Sequence, residues 1–120
     1  NRELADSALS DALTGLRNRR FLRVYLDLPE PEAGASTHLP ERRRGRHRQL
    51  SYFLFDLDHF KQINDRHGHE AGDAVLVEIA HRLRRTIRTG DAAMRWGGEE
   101  FLVVARGLDL DDAAALAGRI

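Results

Sequence analysis

Three carboxylates and a pair of glycines are the residues of this chain with the most chemistry to offer. Asp56 closes the apolar run Leu50-Ser51-Tyr52-Phe53-Leu54-Phe55, and Glu99-Glu100 follow directly on Gly97-Gly98. If the segment after the glycines pairs beside the first strand, all three acids converge, and that arrangement suits a hard divalent cation. Magnesium binds through one or two carboxylates plus substrate phosphates and keeps water elsewhere. Adjacent residues of a strand point to opposite faces, so a regular strand aims only one of the two glutamates at such an ion. The glycines relax that rule, since they reach turn conformations closed to other residues and let phosphates approach the backbone. Taken alone, Gly97-Gly98 also fits an ordinary hairpin turn, and Glu99-Glu100 a solvated edge. Asp58 reads better as the cap of a following helix than as a ligand, because a side-chain oxygen there satisfies free amides.

Composition narrows the alternatives. The chain has no cysteine, which removes disulfide frameworks, thiolate metal sites and cysteine nucleophiles together. Any metal must be held by oxygen or imidazole. Its 120 residues are 42% hydrophobic and 32% charged with a formal net charge of zero. That allows one folded domain, 1–120, with no bulk attraction to nucleic acid or an anionic membrane. The apolar runs fall far short of the roughly 20 residues that cross a bilayer. Asn1-Arg2-Glu3 is neither an initiator nor a signal peptide. The chain therefore reads as a soluble, cytoplasmic piece of something longer, whose parent is either anchored to a membrane or not.

The elements that must position the acids follow from periodicity. Leu4, Ala5, Ala8, Leu9 and Ala12 predict one short helix, and Phe21, Leu22, Val24, Tyr25 and Leu28 a second, separated by Thr14-Gly15. From Pro29 to Gln49 stand all the prolines and the run Arg42-Arg43-Arg44-Gly45-Arg46-His47-Arg48, without period. This stretch is expected to be a mobile loop, its arginines either solvated or able to meet phosphate. The apolar run ending at Asp56 suits a strand buried on both faces. Phe60, Ile63 and the turn signal Asn64-Asp65 mark a short helix, and Gly72, Leu76, Ile79, Leu83 and Ile87 form the core stripe of a longer one. Ala92 to Trp96 and Glu99 to Ala105 read as a hairpin around the glycines. An alanine-rich helix follows from Asp109 to Ile120, capped by Asp109 or Asp111. Strand, helix and hairpin in this order make most of a split βαβ plait that still lacks an edge strand.

Together these segments resemble the GGDEF domain family, the diguanylate cyclases. The signature stands as Gly97-Gly98-Glu99-Glu100-Phe101, the GGEEF form that the family also uses. Asp11-Ala12-Leu13-Thr14-Gly15-Leu16-Arg17-Asn18-Arg19-Arg20-Phe21 is similar to the family's leading motif. Phe55-Asp56-Leu57-Asp58-His59-Phe60-Lys61-Gln62-Ile63-Asn64-Asp65 is similar to its first strand and helix, and Gly68-His69-Glu70-Ala71-Gly72-Asp73 to the next loop. The resemblance implies an α/β fold: a ferredoxin-like palm as in nucleotide cyclases, with an antiparallel-containing central sheet flanked by helices and its C-terminal portion missing. The stretch from Pro29 to Gln49 is longer than the family's usual link, and basic residues that the family supplies from the missing part are absent.

The resemblance also implies roles. Asp56, the backbone carbonyl of Leu57, Glu99 and Glu100 would hold magnesium, with manganese as a substitute, over the triphosphate of GTP. Asn64 and Asp73 would read guanine, a carboxylate suiting its N–H edge and an amide its acceptors. Lys61, the only lysine, matches the family's lysine that faces the phosphates, where a point charge offsets developing negative charge; the bland reading is a helix-surface lysine. His69, Phe60, Gly97 and Gly98 would line the substrate pocket, while His59, His67 and His81 read as surface or packing residues. Arg88-Thr89-Gly90-Asp91 occupies the offset of the family's inhibitory product site, where an arginine fork and a carboxylate can hold phosphate and guanine. The implied partners are GTP, cyclic di-GMP, a second copy of the domain and an upstream sensory or regulatory domain, with no nucleic acid. Two other readings stand beside the cyclase: a silent module that binds GTP or cyclic di-GMP as a receptor, and a plain interaction domain. The intact signature weighs against the first, and the second leaves Asp56, Glu99 and Glu100 without a task.

Overall fold

The computed structural model describes residues 8–28, 50–108 and 110–119. In chain order the elements are α1 (Phe21–Asp27), β1 (Leu50–Asp56), α2 (Phe60–His67), α3 (His69–Thr86), β2 (Ala92–Arg95), β3 (Glu100–Arg106) and α4 (Leu110–Arg119). The strands form one antiparallel sheet in the order β1-β3-β2. β3 is central, and its residues Phe101 to Ala105 are all buried. Its register sets Phe55 opposite Phe101 and Asp56 opposite Glu100 on one side, and Arg95 opposite Phe101 on the other.

Alternation along β3 divides the core in two, because successive side chains leave a strand on opposite faces. Phe101 and Val103 pack with Phe60 of α2, with Leu76, Ala80 and Leu83 of α3, and with Leu16. Leu102 and Val104 pack on the other face with Tyr25 of α1, Ala92 and Met94. α4 closes the far end of β3 through Leu116 and Ala105. Layers of helix, sheet and helix are the expected solution for a sheet with two apolar faces. Burying one Leu or Phe is worth about 1.5–3 kcal/mol. An exposed ion pair such as Arg82 to Glu78 on α3 is worth about 0–1 kcal/mol. The apolar stripe therefore holds α3 to the sheet, and the arginines on its outer face add little.

Several sequence expectations are corrected. β1 is buried on one face only: Tyr52 and Leu54 are 53% and 59% exposed, because α1 covers β2 and β3 and does not reach them. Asp58 does not cap α2; His59 occupies that position in the left-handed region, φ 61°, with no side-chain cap bond. Asn64-Asp65 does not turn the chain, and α2 runs on to His67, where Gly68 redirects it into α3. The leading helix does not extend through Ala12: residues 9–19 form turns in which Ser10 pairs with Arg17 and Arg17 with Met94. Ile87 lies just past the end of α3. Asp111 sits within the first turn of α4. Asp109, Ile120 and the expected loop from Pro29 to Gln49 lie outside the described residues. No helix among the described residues is long and apolar enough to cross a membrane.

Candidate active site

One cleft of about 840 Å³ opens where β1 ends, α2 begins and β3 starts, and Asp56, Phe60, Lys61, Asn64, His69, Asp73, Leu76, Arg95, Gly98, Glu99 and Glu100 line it. Each element contributes for a local reason. β1 delivers Asp56 at its carboxyl end, directly opposite Glu100. The short turn through Leu57, Asp58 and His59 starts α2 at once, which sets Lys61 and Asn64 one turn apart on the same wall. α3 begins immediately after Gly68 and brings His69 and Asp73 to the other wall.

The signature turn is fastened on both sides. The Trp96 and Gly97 amides donate to the Glu100 carbonyl at 2.8 and 3.3 Å, and the Leu57 amide donates to the Glu99 carbonyl at 3.2 Å. Glu99 lies in the bend and Glu100 opens β3, so both reach the one cleft, as the glycine-relaxed geometry predicts. Gly97 does not line the cleft. A side chain there would overlap the Glu100 carboxylate, whose Cδ would lie 3.3 Å from its Cβ. The Leu57 side chain likewise stays outside the cleft and packs on the core.

Arg95 and Asp11 support the signature turn through a pairing that sequence reasoning missed. The Arg95 guanidinium donates to the Gly98 carbonyl at 2.8 Å and to both Asp11 carboxylate oxygens at 3.2 and 3.3 Å. The available signal was a lone arginine closing the apolar strand Ala92-Ala93-Met94 beside a glycine pair; its partner, 84 positions away, opens the leading motif, but no residue type there announces the pairing. Asp11 also accepts from the Thr14 amide and hydroxyl at 2.9 and 2.8 Å. Burial alone pushes the Asp11 pKa up, but the Thr14 hydrogen bonds and the Arg95 charge outweigh it and hold the carboxyl below its ordinary 3.8. Such a group adds stability that is present above the unfolded pKa and lost as pH falls through the lower folded value. Denaturation midpoints of the parent and of Asp11→Asn are therefore expected to differ near neutral pH and to converge as pH falls through the lowered folded value of this carboxyl. A constant gap across that range would remove Asp11 from the acid sensitivity.

Arg88 and Asp91 stand apart from the cleft, in the turn from α3 to β2. The Arg88 guanidinium forks onto Asp91 at 3.1 and 2.9 Å and donates to the Arg106 carbonyl at 2.8 Å. The hydrogen bond to Asp91 raises the Arg88 pKa and keeps its charge fixed. The Tyr25 hydroxyl donates to the Gly90 carbonyl at 2.7 Å, tying α1 to the same turn.

Compared with known proteins, residues 8–120 match the family described as "Diguanylate cyclase, GGDEF domain". The chain belongs to the GGDEF domain family. Diguanylate cyclase DgcM of Escherichia coli K12 is 41% identical over 118 residues, covering 98% of this chain and 26% of DgcM. Diguanylate cyclase SiaD of Pseudomonas aeruginosa, solved with its activator SiaC, superposes with a TM-score of 0.73 at 36% identity, covering 99% of this chain and 42% of that one. The GGDEF domain of DgcB from Caulobacter crescentus, solved with c-di-GMP, gives a TM-score of 0.71 at 32% identity, covering 92% of this chain and 57% of that one. The chain thus spans about a quarter of DgcM's length.

Magnesium, which the family implies, can be tested against the donors of this GGDEF domain. No three of the described carboxylates and imidazoles form a ready-made metal cluster. The donors nevertheless fit: all are hard oxygens, and Asp56 and Glu100 are cross-strand partners. Like charges placed directly opposite in a sheet repel one another, and a divalent cation relieves that repulsion while substrate phosphates complete its shell.

Proposed function

We propose that this domain is a diguanylate cyclase, condensing two GTP into cyclic di-GMP with release of two pyrophosphates. The observation that carries the reading is the single cleft that brings Asp56, Glu99 and Glu100 together with Lys61, Asn64 and Asp73. Kinship to proteins named diguanylate cyclases supports it.

Asp56, Glu99, Glu100 and the Leu57 carbonyl would hold magnesium, or manganese in its place, over the triphosphate. A divalent ion held by these oxygens would supply Lewis acidity to the transferring phosphate and the attacking hydroxyl. Lys61 sets a positive charge against the phosphates, where charge develops in the transition state. Asn64 and Asp73 fix the guanine edge, while Phe60, His69 and Gly98 shape the pocket and Gly97 leaves room for the Glu100 carboxylate. Each 3′-hydroxyl forms a bond to the partner nucleotide's α-phosphorus, the bond from that phosphorus to the bridging oxygen breaks, and the hydroxyl proton leaves to solvent. Two half-sites facing across a two-fold axis supply this geometry, and positioning provides much of the rate. Arg88 and Asp91 would bind product as a brake. The domain would act in the cytoplasm under an upstream sensory or regulatory domain.

Incubating the full-length protein with GTP and Mg²⁺ and separating the nucleotides is expected to yield cyclic di-GMP and pyrophosphate. Binding of either nucleotide without turnover would make the domain a receptor instead. Asn64→Ala and Asp73→Ala are each expected to lower the preference for GTP over ATP by about ten- to a hundredfold, since a site built for one base rejects another by leaving polar groups unpaired. Unchanged preference in both variants would place guanine recognition elsewhere.

A further inference from the structure

The fourth residue of α3 is Gly72, buried against α2. Glycine inside a helix is a poorer choice than alanine on propensity alone, so its place needs another reason. A Cβ at this position would overlap the Asn64 side-chain oxygen, and would lie 2.9 Å from Asn64 Cγ and 3.2 Å from Phe60 Cζ. The Asn64 amide thus occupies the volume that any larger residue at 72 would fill. The Asn64 backbone carbonyl accepts from the Gly68 amide at 2.8 Å, which fixes the main chain that carries this side chain at the end of α2. The side-chain Oδ1 of Asn64, in contrast, is buried and has no hydrogen-bond partner among the described residues. An unpaired buried acceptor is costly unless something that enters the site satisfies it. Asn64 and Phe60 both line the cleft, so displacing either one disturbs the wall that would face a base.

We propose that Gly72 is a positioning residue for base discrimination: its missing side chain makes the slot that holds the Asn64 amide in place against the nucleobase. This rests on the reading that Asn64 contacts guanine. A methyl group at 72 drives the amide toward the cleft and misaligns it, whereas in a chain without that amide the same methyl keeps only the 3.2 Å approach to Phe60 Cζ, which a shift of a few tenths of an ångström relieves, and restores a good helix former.

The test measures GTP and ATP affinity by competition binding, together with thermal midpoints, in the full-length parent, Gly72→Ala, Asn64→Ala and the double variant. Gly72→Ala is expected to cut the GTP-over-ATP ratio at least tenfold and to lower the midpoint. In the Asn64→Ala background it is expected to leave the ratio unchanged and to raise the midpoint. If Gly72→Ala keeps the parent's ratio, or lowers it equally in both backgrounds, the inference is overturned while the guanine reading stands. Failure of both Gly72→Ala and the double variant to fold would also overturn it, because the methyl would then be clashing with Phe60 rather than with Asn64. A parent that shows no preference for GTP overturns the guanine reading and this inference with it.

Discussion

Glu99→Gln and Asp56→Asn are each expected to reduce cyclic di-GMP synthesis by more than about a hundredfold, since even partners behind a metal ligand are worth about ten- to a hundredfold. Both changes keep the side chain's size and remove a negative charge from the wall that would hold magnesium. Asp56 faces Glu100 across the β1-β3 ladder. Removing charge from a like-charged cross-strand pair relieves about 0.2–1 kcal/mol of repulsion. Activity should therefore fall while the thermal midpoint of Asp56→Asn holds or rises, a combination that simple damage to the fold does not produce. Ordinary turnover in either variant, with circular dichroism unchanged, would count decisively against the metal assignment.

Arg88→Ala is expected to raise the concentration of cyclic di-GMP needed for half-inhibition by about ten- to a hundredfold, the worth of a charged hydrogen-bond donor at roughly 1.5–3 kcal/mol. Arg88 holds two neighbours at once, Asp91 and the Arg106 carbonyl, and the Asp91 carboxylate is nearly inaccessible. The variant therefore also leaves Asp91 with fewer partners and lowers the thermal midpoint, so inhibition is read relative to each protein's own uninhibited rate. Because the α3-β2 turn lies outside the cleft, product held there would act by restraining the approach of two subunits and not by filling the substrate pocket. Inhibition at the same product concentration in parent and variant would remove Arg88 from the site.

Local chemistry was legible in the sequence where neighbouring residues define each other. The stripe on α3, the hairpin around Gly97-Gly98 and the strand ending in Asp56 each follow from a period or a turn residue, and the fold brings them to one cleft. Burial of β1 was misread because an unbroken apolar run looks the same whether a strand is covered on one face or on both. What separates the cases is the reach of α1, a tertiary fact that leaves Tyr52 and Leu54 exposed. The start of α2 was misread because capping preferences favour Asp58, and nothing in the residue types announces a histidine with φ 61°. The Asp11 to Arg95 pair was invisible for the plainest reason: its halves lie 84 positions apart, and only the folded sheet brings them together.

The strand order carries a consequence in time. Among the described residues β1 pairs with β3, and the residues of β3 leave the ribosome about fifty positions after their partners, an interval of about 3–10 s at the usual 5–20 residues per second. Throughout that interval the nascent chain carries Phe53 and Phe55 without the strand that will cover their flank, while α2 and α3, made in between, can already assemble locally. β3 is thus the last of the three described strands to be made, and until it arrives the apolar side chains of Phe53 and Phe55 stay uncovered along that flank of β1.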